Sequence, residues 1–89
     1  MIRRTVLFSG RVQGVGFRYT AWHVAKRFEV AGYVRNLPDG RVEAVVEGEE
    51  EEIARFIDAV SEEMSPEIRD VKSQDAPGTG EFSRFEIRF

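Results

Sequence analysis

Hydrophobic and polar positions follow two different periods along the chain, and the changes of period mark the first elements. Ile2–Ser9 is rich in β-branched and aromatic side chains, which predicts a strand that stops at Gly10. Further on, apolar residues recur with a helical period and predict an amphipathic helix: Phe17, Ala21, Val24, Ala25 and Phe28. Between these two segments, Gly10–Phe17 contains three glycines and is predicted to be a loop.

A β-hairpin is predicted after the first helix. We expect Gly32 to end the connection that follows the first helix, and Tyr33–Leu37 and Arg41–Glu47 to be the two strands of the hairpin. The turn between them has a physical basis, because Pro38 presets φ and Gly40 accepts the positive φ that other residues resist.

A second helical period follows the hairpin, with apolar residues at Ile53, Phe56, Ile57, Val60 and Met64. The acidic run Glu49–Glu52 precedes it and would lie at the positive end of the helix macrodipole. We therefore interpret this run as a solvated helix start and not as an acidic metal site. Ser65-Pro66 is expected to end the helix.

The remaining residues predict two more strands. Ile68–Gln74 is the less regular one, Ala76–Gly80 is predicted to be a loop, and the last five residues alternate strictly, with Phe85, Ile87 and Phe89 on one face. The order is β-α-β-β-α-β with an extra C-terminal strand. It predicts a single α+β domain over residues 1–89. The expected fold is a ferredoxin-like two-layer sandwich, in which an antiparallel sheet carries both helices on one face.

Composition removes several classes of function. The 89 residues include no Cys and one His, which excludes disulfides, thiolate nucleophiles, Cys-based metal sites and multi-His metal clusters. The net charge of −3 argues against nucleic acid as a partner. No apolar run approaches a signal peptide or a membrane span, so we expect a cytoplasmic protein without a membrane partner.

The glycine-rich loop is the main candidate for chemistry. Glycines between a strand and a helix allow consecutive backbone N–H groups to turn inward and bind an anion at the helix N-terminus. Neither of the two better-known phosphate motifs is present, because Tyr19 replaces the third glycine of Gly-x-Gly-x-x-Gly and no Gly-Lys-Ser/Thr tripeptide exists. An ordinary glycine-rich connection is the alternative.

Arg18 and Asn36 are the candidate side chains. Arg18 would begin the first helix, where the helix dipole disfavours a cation by ~0.3–1 kcal/mol unless an anion lies nearby. Arginine also binds phosphate with two parallel N–H groups. Asn36 ends the second predicted strand and offers a donor and an acceptor suited to holding a water molecule. The alternatives are an arginine extended into solvent and an asparagine that favours the turn.

Two stretches of the chain, Gly10–Arg18 and Gly32–Gly40, closely resemble the two sequence signatures of acylphosphatases. Similarity continues through Val42–Gly48 and Gly80–Ile87, so it covers nearly the whole chain. The departures are Glu29, where family members often have Gly, and Ser65-Pro66 in place of Gly-Pro, which leaves the local loop geometry open.

The resemblance implies a ferredoxin-like fold and the hydrolysis of acyl phosphates without a metal or cofactor. It implies that Asn36 orients the attacking water and that the Arg18 guanidinium binds the phosphate. The backbone amides that would join it are those of Gln13, Gly14, Val15, Gly16, Phe17 and Arg18. An acyl phosphate needs little more, because its carboxylate leaving group has a pKa of about 4–5 and leaves without a general acid.

Two other functions remain as alternatives. One is a non-catalytic module that binds phosphate or carbamoyl phosphate and acts with a partner, since acylphosphatase-like domains occur in a larger hydrogenase-maturation carbamoyltransferase. The other is an RNA-recognition domain, which has the same element order but requires exposed aromatic motifs that are missing here. The short chain favours the free enzyme, and we expect a monomer.

Overall fold

The computed structural model describes all residues from Met1 to Phe89 and contains five strands and two helices. In chain order they are β1 Ile2–Gly10, α1 Phe17–Ala25, β2 Val30–Asn36, β3 Val42–Gly48, α2 Glu50–Glu63, β4 Ile68–Pro77 and β5 Phe85–Arg88. The predicted order of elements is confirmed. Neither helix has the length and apolar character that crossing a membrane requires.

The five strands form one sheet in the order β4-β1-β3-β2-β5. β1 runs antiparallel to β3 and β4, and β2 runs antiparallel to β3. The C-terminal strand differs, because β5 pairs with β2 in parallel, with Arg88 opposite Arg35. The fold class is confirmed, but the prediction of a purely antiparallel sheet is wrong at this edge, where the sheet is mixed. The local alternation that predicts a strand carries no information on its direction.

Both helices pack on one face of the sheet and on each other, around a single cluster of 16 buried residues. The predicted apolar stripes of the helices form the helical half of this core, to which α2 contributes Ile53, Phe56 and Val60. The sheet contributes alternate residues, such as Val42, Ala44 and Val46 of β3. Burial of each large apolar side chain contributes about 1.5–3 kcal/mol, so this cluster is the main source of stability.

The structure corrects two predicted boundaries near α1. The helix ends at Ala25, earlier than the stripe to Phe28 suggested, and Phe28 packs from the following turn with its ring 6.3 Å from that of Phe56. Gly32 lies inside β2 rather than before it. A Cβ at Gly32 would stand 1.8 Å from the carbonyl oxygen of Val45, so glycine here allows the close approach of β3.

Boundaries in the last third of the chain also differ from the prediction. β4 continues to Pro77, three residues beyond Gln74, because Ile2–Thr5 of β1 extends far enough to pair with it. β5 ends at Arg88 and leaves Phe89 outside the strand. The two departures from the acylphosphatase pattern cause no backbone strain, since no residue other than glycine has a positive φ.

A buried carboxylate fixes the segment that leads into β5. Glu47 is 3% exposed and lies on the sheet face opposite the helices. Its oxygens accept hydrogen bonds from Arg3 Nε (2.8 Å), the Thr79 N–H (2.9 Å) and the Gly80 N–H (2.9 Å). Burial alone would raise the pKa of Glu47, but the hydrogen bonds from Thr79, Arg3 and Gly80 outweigh it and lower the pKa to about 2. The ionised carboxylate therefore holds residues 79–80 in place.

Candidate active site

The loop between β1 and α1 presents a helix N-terminus that no acidic group neutralises. Gly14 (φ 77°) and Gly16 (φ 79°) adopt left-handed conformations, which glycine takes without strain. Gly16 precedes α1 without a side-chain cap, and the first turn of α1 contains no Asp or Glu. In contrast, the first turn of α2 contains three glutamates. The positive end of the α1 dipole is therefore open to an anion.

Backbone N–H groups in this loop have no backbone acceptor. Those of residues 13–18 donate no hydrogen bond to another main-chain group, whereas the N–H of Arg11 donates to Glu67 (2.8 Å) and that of Thr20 to Gly16 (3.0 Å). Successive free N–H groups on a left-handed glycine turn are the arrangement that binds the oxygens of a phosphate or sulfate. The loop thus has the donors that an anion needs.

Arg18 lies in the first turn of α1, and its charge is not neutralised by a carboxylate. Its Nη1 donates to the carbonyl oxygen of Arg88 (3.2 Å), and its Cζ stands 4.9 Å from the ring centroid of Phe89. No Asp or Glu forms an ion pair with it. The carbonyl and the ring orient the guanidinium, and its full charge remains available to an anion.

The other arginines near this end of the sheet are occupied. Arg35 Nε donates to Glu43 (2.7 Å), and Arg41 forms an ion pair with Asp39 (2.8 Å). Arg88 directs its guanidinium to the ring of Tyr33, 3.8 Å from the centroid. Of these four arginines, Arg18 is therefore the one that has no carboxylate partner and lies in the first turn of α1, beside the glycine loop.

Asn36 ends β2, where its backbone pairs with Val42 across the hairpin. Its side-chain amide forms no hydrogen bond with another protein group. An amide with a free carbonyl oxygen and free N–H groups can both accept a hydrogen bond from a water molecule and donate one to it.

These residues border one cavity of about 310 Å³. The predicted site residues Gly14, Gly16, Phe17, Arg18 and Asn36 all line it. The rest of the lining is apolar and consists of Val12, Tyr19, Ile87 and Phe89. The structure thus brings the glycine loop, Arg18 and Asn36 together, although Asn36 is 18 residues from Arg18 in sequence. Nowhere does the chain group three or more His, Asp or Glu side chains that could hold a metal ion.

Two predicted site residues, Gln13 and Val15, do not line the cavity. Val15 is 38% exposed on the outside of the loop. Gln13 turns its half-buried side chain toward the hairpin, where Nε2 donates to the carbonyl oxygens of Leu37 (2.8 Å) and Arg41 (2.9 Å). Gln13 therefore joins the glycine loop to the turn that follows Asn36, a contact that sequence reasoning did not predict.

Apart from Phe17, the apolar residues of the cavity are not among the predicted site residues. Phe85, Ile87 and Phe89 were predicted to share one face, but only the parallel pairing of β5 with β2 places the end of that face beside Arg18. Tyr19 follows Arg18 directly and is 62% exposed. The sequence offers one signal for Tyr19: it lies off the apolar stripe of α1, so its side chain is not expected to be buried in the core.

Comparison with known proteins adds an independent line of evidence. The family model described as Acylphosphatase matches residues 4–87. The chain is 44% identical over 89 residues to the acylphosphatase of Syntrophobacter fumaroxidans, covering 98% of this chain and 91% of that protein.

Solved structures agree with the sequence matches. The crystal structure of acylphosphatase from Bacillus subtilis has a TM-score of 0.89 and 33% sequence identity, with 100% of both chains covered. The crystal structure of T. kodakarensis HypF also matches, with a TM-score of 0.85 and 33% identity, but all of this chain corresponds to only 12% of that larger protein.

Proposed function

The chain belongs to the acylphosphatase family and is an acylphosphatase, and from this premise we propose how its site hydrolyses acyl phosphates. The substrate phosphate binds between the Arg18 guanidinium and the backbone amides of residues 13–18. Asn36 orients the attacking water, and no metal ion takes part. The observation that carries the proposal is the single cavity that both Arg18 and Asn36 line.

Phosphate binding rests on the free donors of the loop. An acyl phosphate presents anionic oxygens, which the row of N–H groups and the α1 dipole both favour. Arg18 adds a full positive charge and two parallel N–H groups, and no carboxylate competes for them. Charge that develops on the phosphoryl oxygens in the transition state is stabilised by the same donors.

The bond cleavage itself needs little assistance. The water oxygen forms a bond to phosphorus while the bond between phosphorus and the acyl oxygen breaks, and the carboxylate leaves with the electron pair. Because a carboxylic acid has a pKa near 4, the leaving group needs no proton from the enzyme at neutral pH. The proton lost by water passes to the phosphate product or to solvent.

Asn36 contributes position rather than basicity. Its amide oxygen accepts a hydrogen bond from the water, which aims a lone pair at phosphorus. Phosphoryl transfer gains most from such positioning and from charge stabilisation. Neither role requires a titrating side chain, and the single His, His23, is exposed on the outer face of α1 and does not line the cavity.

The test is benzoyl phosphate hydrolysis in the presence of a chelator. The wild type should turn over undiminished, and Arg18→Ala and Asn36→Ala should each lose about 100-fold or more in kcat/KM. Arg84→Ala and Gln74→Ala are matched controls, since both side chains are exposed and lie outside the cavity. A chelator-sensitive wild type would refute metal independence, and unimpaired Arg18 or Asn36 variants would refute the assigned roles.

The similarity to HypF supports a second candidate function, in which the chain is a phosphate-binding module that acts with a partner. Inorganic phosphate separates binding from catalysis. Phosphate at 100 times its Kd should stabilise the folded wild type by about 2.7 kcal/mol, and Arg18→Ala should lose this protection. Protection without any turnover of benzoyl phosphate would favour the binding module.

A further inference from the structure

We propose that the outer part of the cavity is a binding site for the acyl group, and that it selects uncharged apolar or aromatic acyl groups. This inference rests on the proposed function, because it assigns the part of the substrate that Arg18 and the loop do not hold. The site is formed by Tyr19, Ile87 and Phe89, which we call the acyl wall. All three line the same cavity as Arg18 and Asn36.

The acyl wall is apolar surface that the fold leaves uncovered. The Phe89 side chain is fully exposed and Tyr19 is 62% exposed, whereas the aromatic residues of the core are at most 8% exposed. Ile87 is half-buried and joins the wall to the core. Exposed aromatic side chains gathered at the rim of a polar site are typical of ligand-binding surfaces.

The wall is held at a fixed place relative to the phosphate site. The ring of Phe89 lies against the Arg18 guanidinium, with Cζ 4.9 Å from the ring centroid. The preceding carbonyl, that of Arg88, accepts a hydrogen bond from the same guanidinium. On the other side, Tyr19 directly follows Arg18 on α1. A phosphate bound by Arg18 would therefore carry its acyl group toward these rings.

Charge at the rim argues for an uncharged acyl group. Arg18 is the only side chain lining the cavity that carries a charge at neutral pH, and the substrate phosphate would occupy it. Arg35 and Arg41 are paired with Glu43 and Asp39, and the Arg88 guanidinium lies against the ring of Tyr33, so none of the three lines the cavity with a free charge. A carboxylate on the acyl group would lose hydrogen bonds to water when it contacts the acyl wall, and it would gain no cation or hydrogen-bond donor in exchange.

The volume limits the size of the acyl group. At about 310 Å³ the cavity lies at the lower end of ligand-binding pockets, which span ~300–1,000 Å³. Because the phosphate occupies the end near Gly14 and Gly16, the remaining space suits a short aliphatic chain or one aromatic ring.

Three substrates test the inference: acetyl, benzoyl and 4-carboxybenzoyl phosphate. The wild type should prefer benzoyl phosphate over both others in kcat/KM. In Tyr19→Ala the ratio of benzoyl to acetyl phosphate should fall about tenfold, because an apolar pocket contact of this kind discriminates by roughly 10- to 200-fold. Tyr19→Leu restores apolar surface and should recover part of the ratio. Val71→Ala is the control, since Val71 is an exposed apolar residue of β4 outside the cavity.

The outcomes separate this inference from the proposed function. If the wild type hydrolyses none of the three substrates, the proposed function fails, and the acyl wall fails with it. If all three are hydrolysed but the ratio is the same in wild type and Tyr19→Ala, only the acyl wall is refuted. Equal kcat/KM for benzoyl and 4-carboxybenzoyl phosphate would refute the selection for uncharged groups.

Discussion

Gln13 allows the link between the two halves of the active site to be tested separately from phosphate binding. Its Nε2 donates to the carbonyl oxygens of Leu37 (2.8 Å) and Arg41 (2.9 Å), and so connects the loop before Arg18 to the turn after Asn36. Gln13→Ala removes both hydrogen bonds. The Gln13 side chain does not line the cavity, so the backbone donors of the proposed phosphate site remain.

The expected magnitude follows from what the two carbonyl groups retain. The Leu37 oxygen still accepts from the Gly40 N–H (3.1 Å), and the Arg41 oxygen from the Leu37 N–H (2.8 Å), so neither is left without a partner. The loss is therefore that of two hydrogen bonds, about 2 kcal/mol of stability in total. Catalysis should lose more, because a misplacement of about 1 Å in a positioned site can cost 100-fold.

We expect kcat for benzoyl phosphate to fall about 10- to 100-fold in Gln13→Ala, with a much smaller change in KM. Urea unfolding and steady-state kinetics measure the two effects on the same preparation. Gln74→Ala is the matched control, because this exposed amide of β4 makes no hydrogen bond to the site. Gln13→Glu should be worse than Gln13→Ala above the pKa of the new carboxyl, since a carboxylate would face two carbonyl oxygens.

A Gln13→Ala protein that loses about 2 kcal/mol of stability but keeps kcat within twofold of wild type would refute the reasoning. In that case the bridge between loop and turn would be a structural contact only. Recovery of kcat in Gln13→Glu as the pH falls would instead support it, because the protonated carboxyl regains one donor.

Two further predictions concern stability. Because the pKa of Glu47 is about 2 in the folded protein against 4.5 ordinarily, its ionisation stabilises the fold above pH 4.5. Protonation of Glu47 should therefore cost the wild type roughly 3 kcal/mol as the pH falls from 4.5 toward 2, and urea unfolding of Glu47→Gln should show a loss smaller by about that amount over the same range. Gly32→Ala should prevent folding or cost more than about 3 kcal/mol, because its Cβ would stand 1.8 Å from the Val45 oxygen. Gly40→Ala, whose Cβ meets nothing within 4 Å, should cost only the strain of its φ of 95°, about 1–3 kcal/mol by thermal unfolding; equal losses in the two glycine variants would contradict this account.

Local patterns predicted most of the fold, because each element has a periodicity that its own residues determine. The stripe of Ile53, Phe56 and Val60 specifies a helix and its buried face whatever the rest of the chain does. The direction of β5 and the position of Gly32 within β2 depend on which strand lies alongside, and no local period contains that information. These two errors in the prediction accordingly fall where distant segments meet.

In the candidate site, too, the residues with a local sequence signal could be predicted and those that depend on distant segments could not. Arg18 could be singled out because a cation at a helix N-terminus is locally unfavourable, and the glycine loop because its spacing is unusual. The contacts of Gln13 and the burial of Glu47 had no local signal, since a glutamine and a glutamate are ordinary residues of loops and strands. Their roles arise from partners 24 to 44 positions away in sequence.

The distribution of charge explains how a chain with a net charge of −3 can attract an anionic substrate. Arg35 and Arg41 near the site are paired with carboxylates, which orient each guanidinium but also neutralise it. Arg18 is oriented by a carbonyl oxygen and an aromatic ring, which fix its position and leave its charge. Because α1 also lacks acidic residues in its first turn, the positive potential is concentrated where the phosphate would bind. The arrangement of partners, more than the number of charges, therefore determines what this cavity attracts.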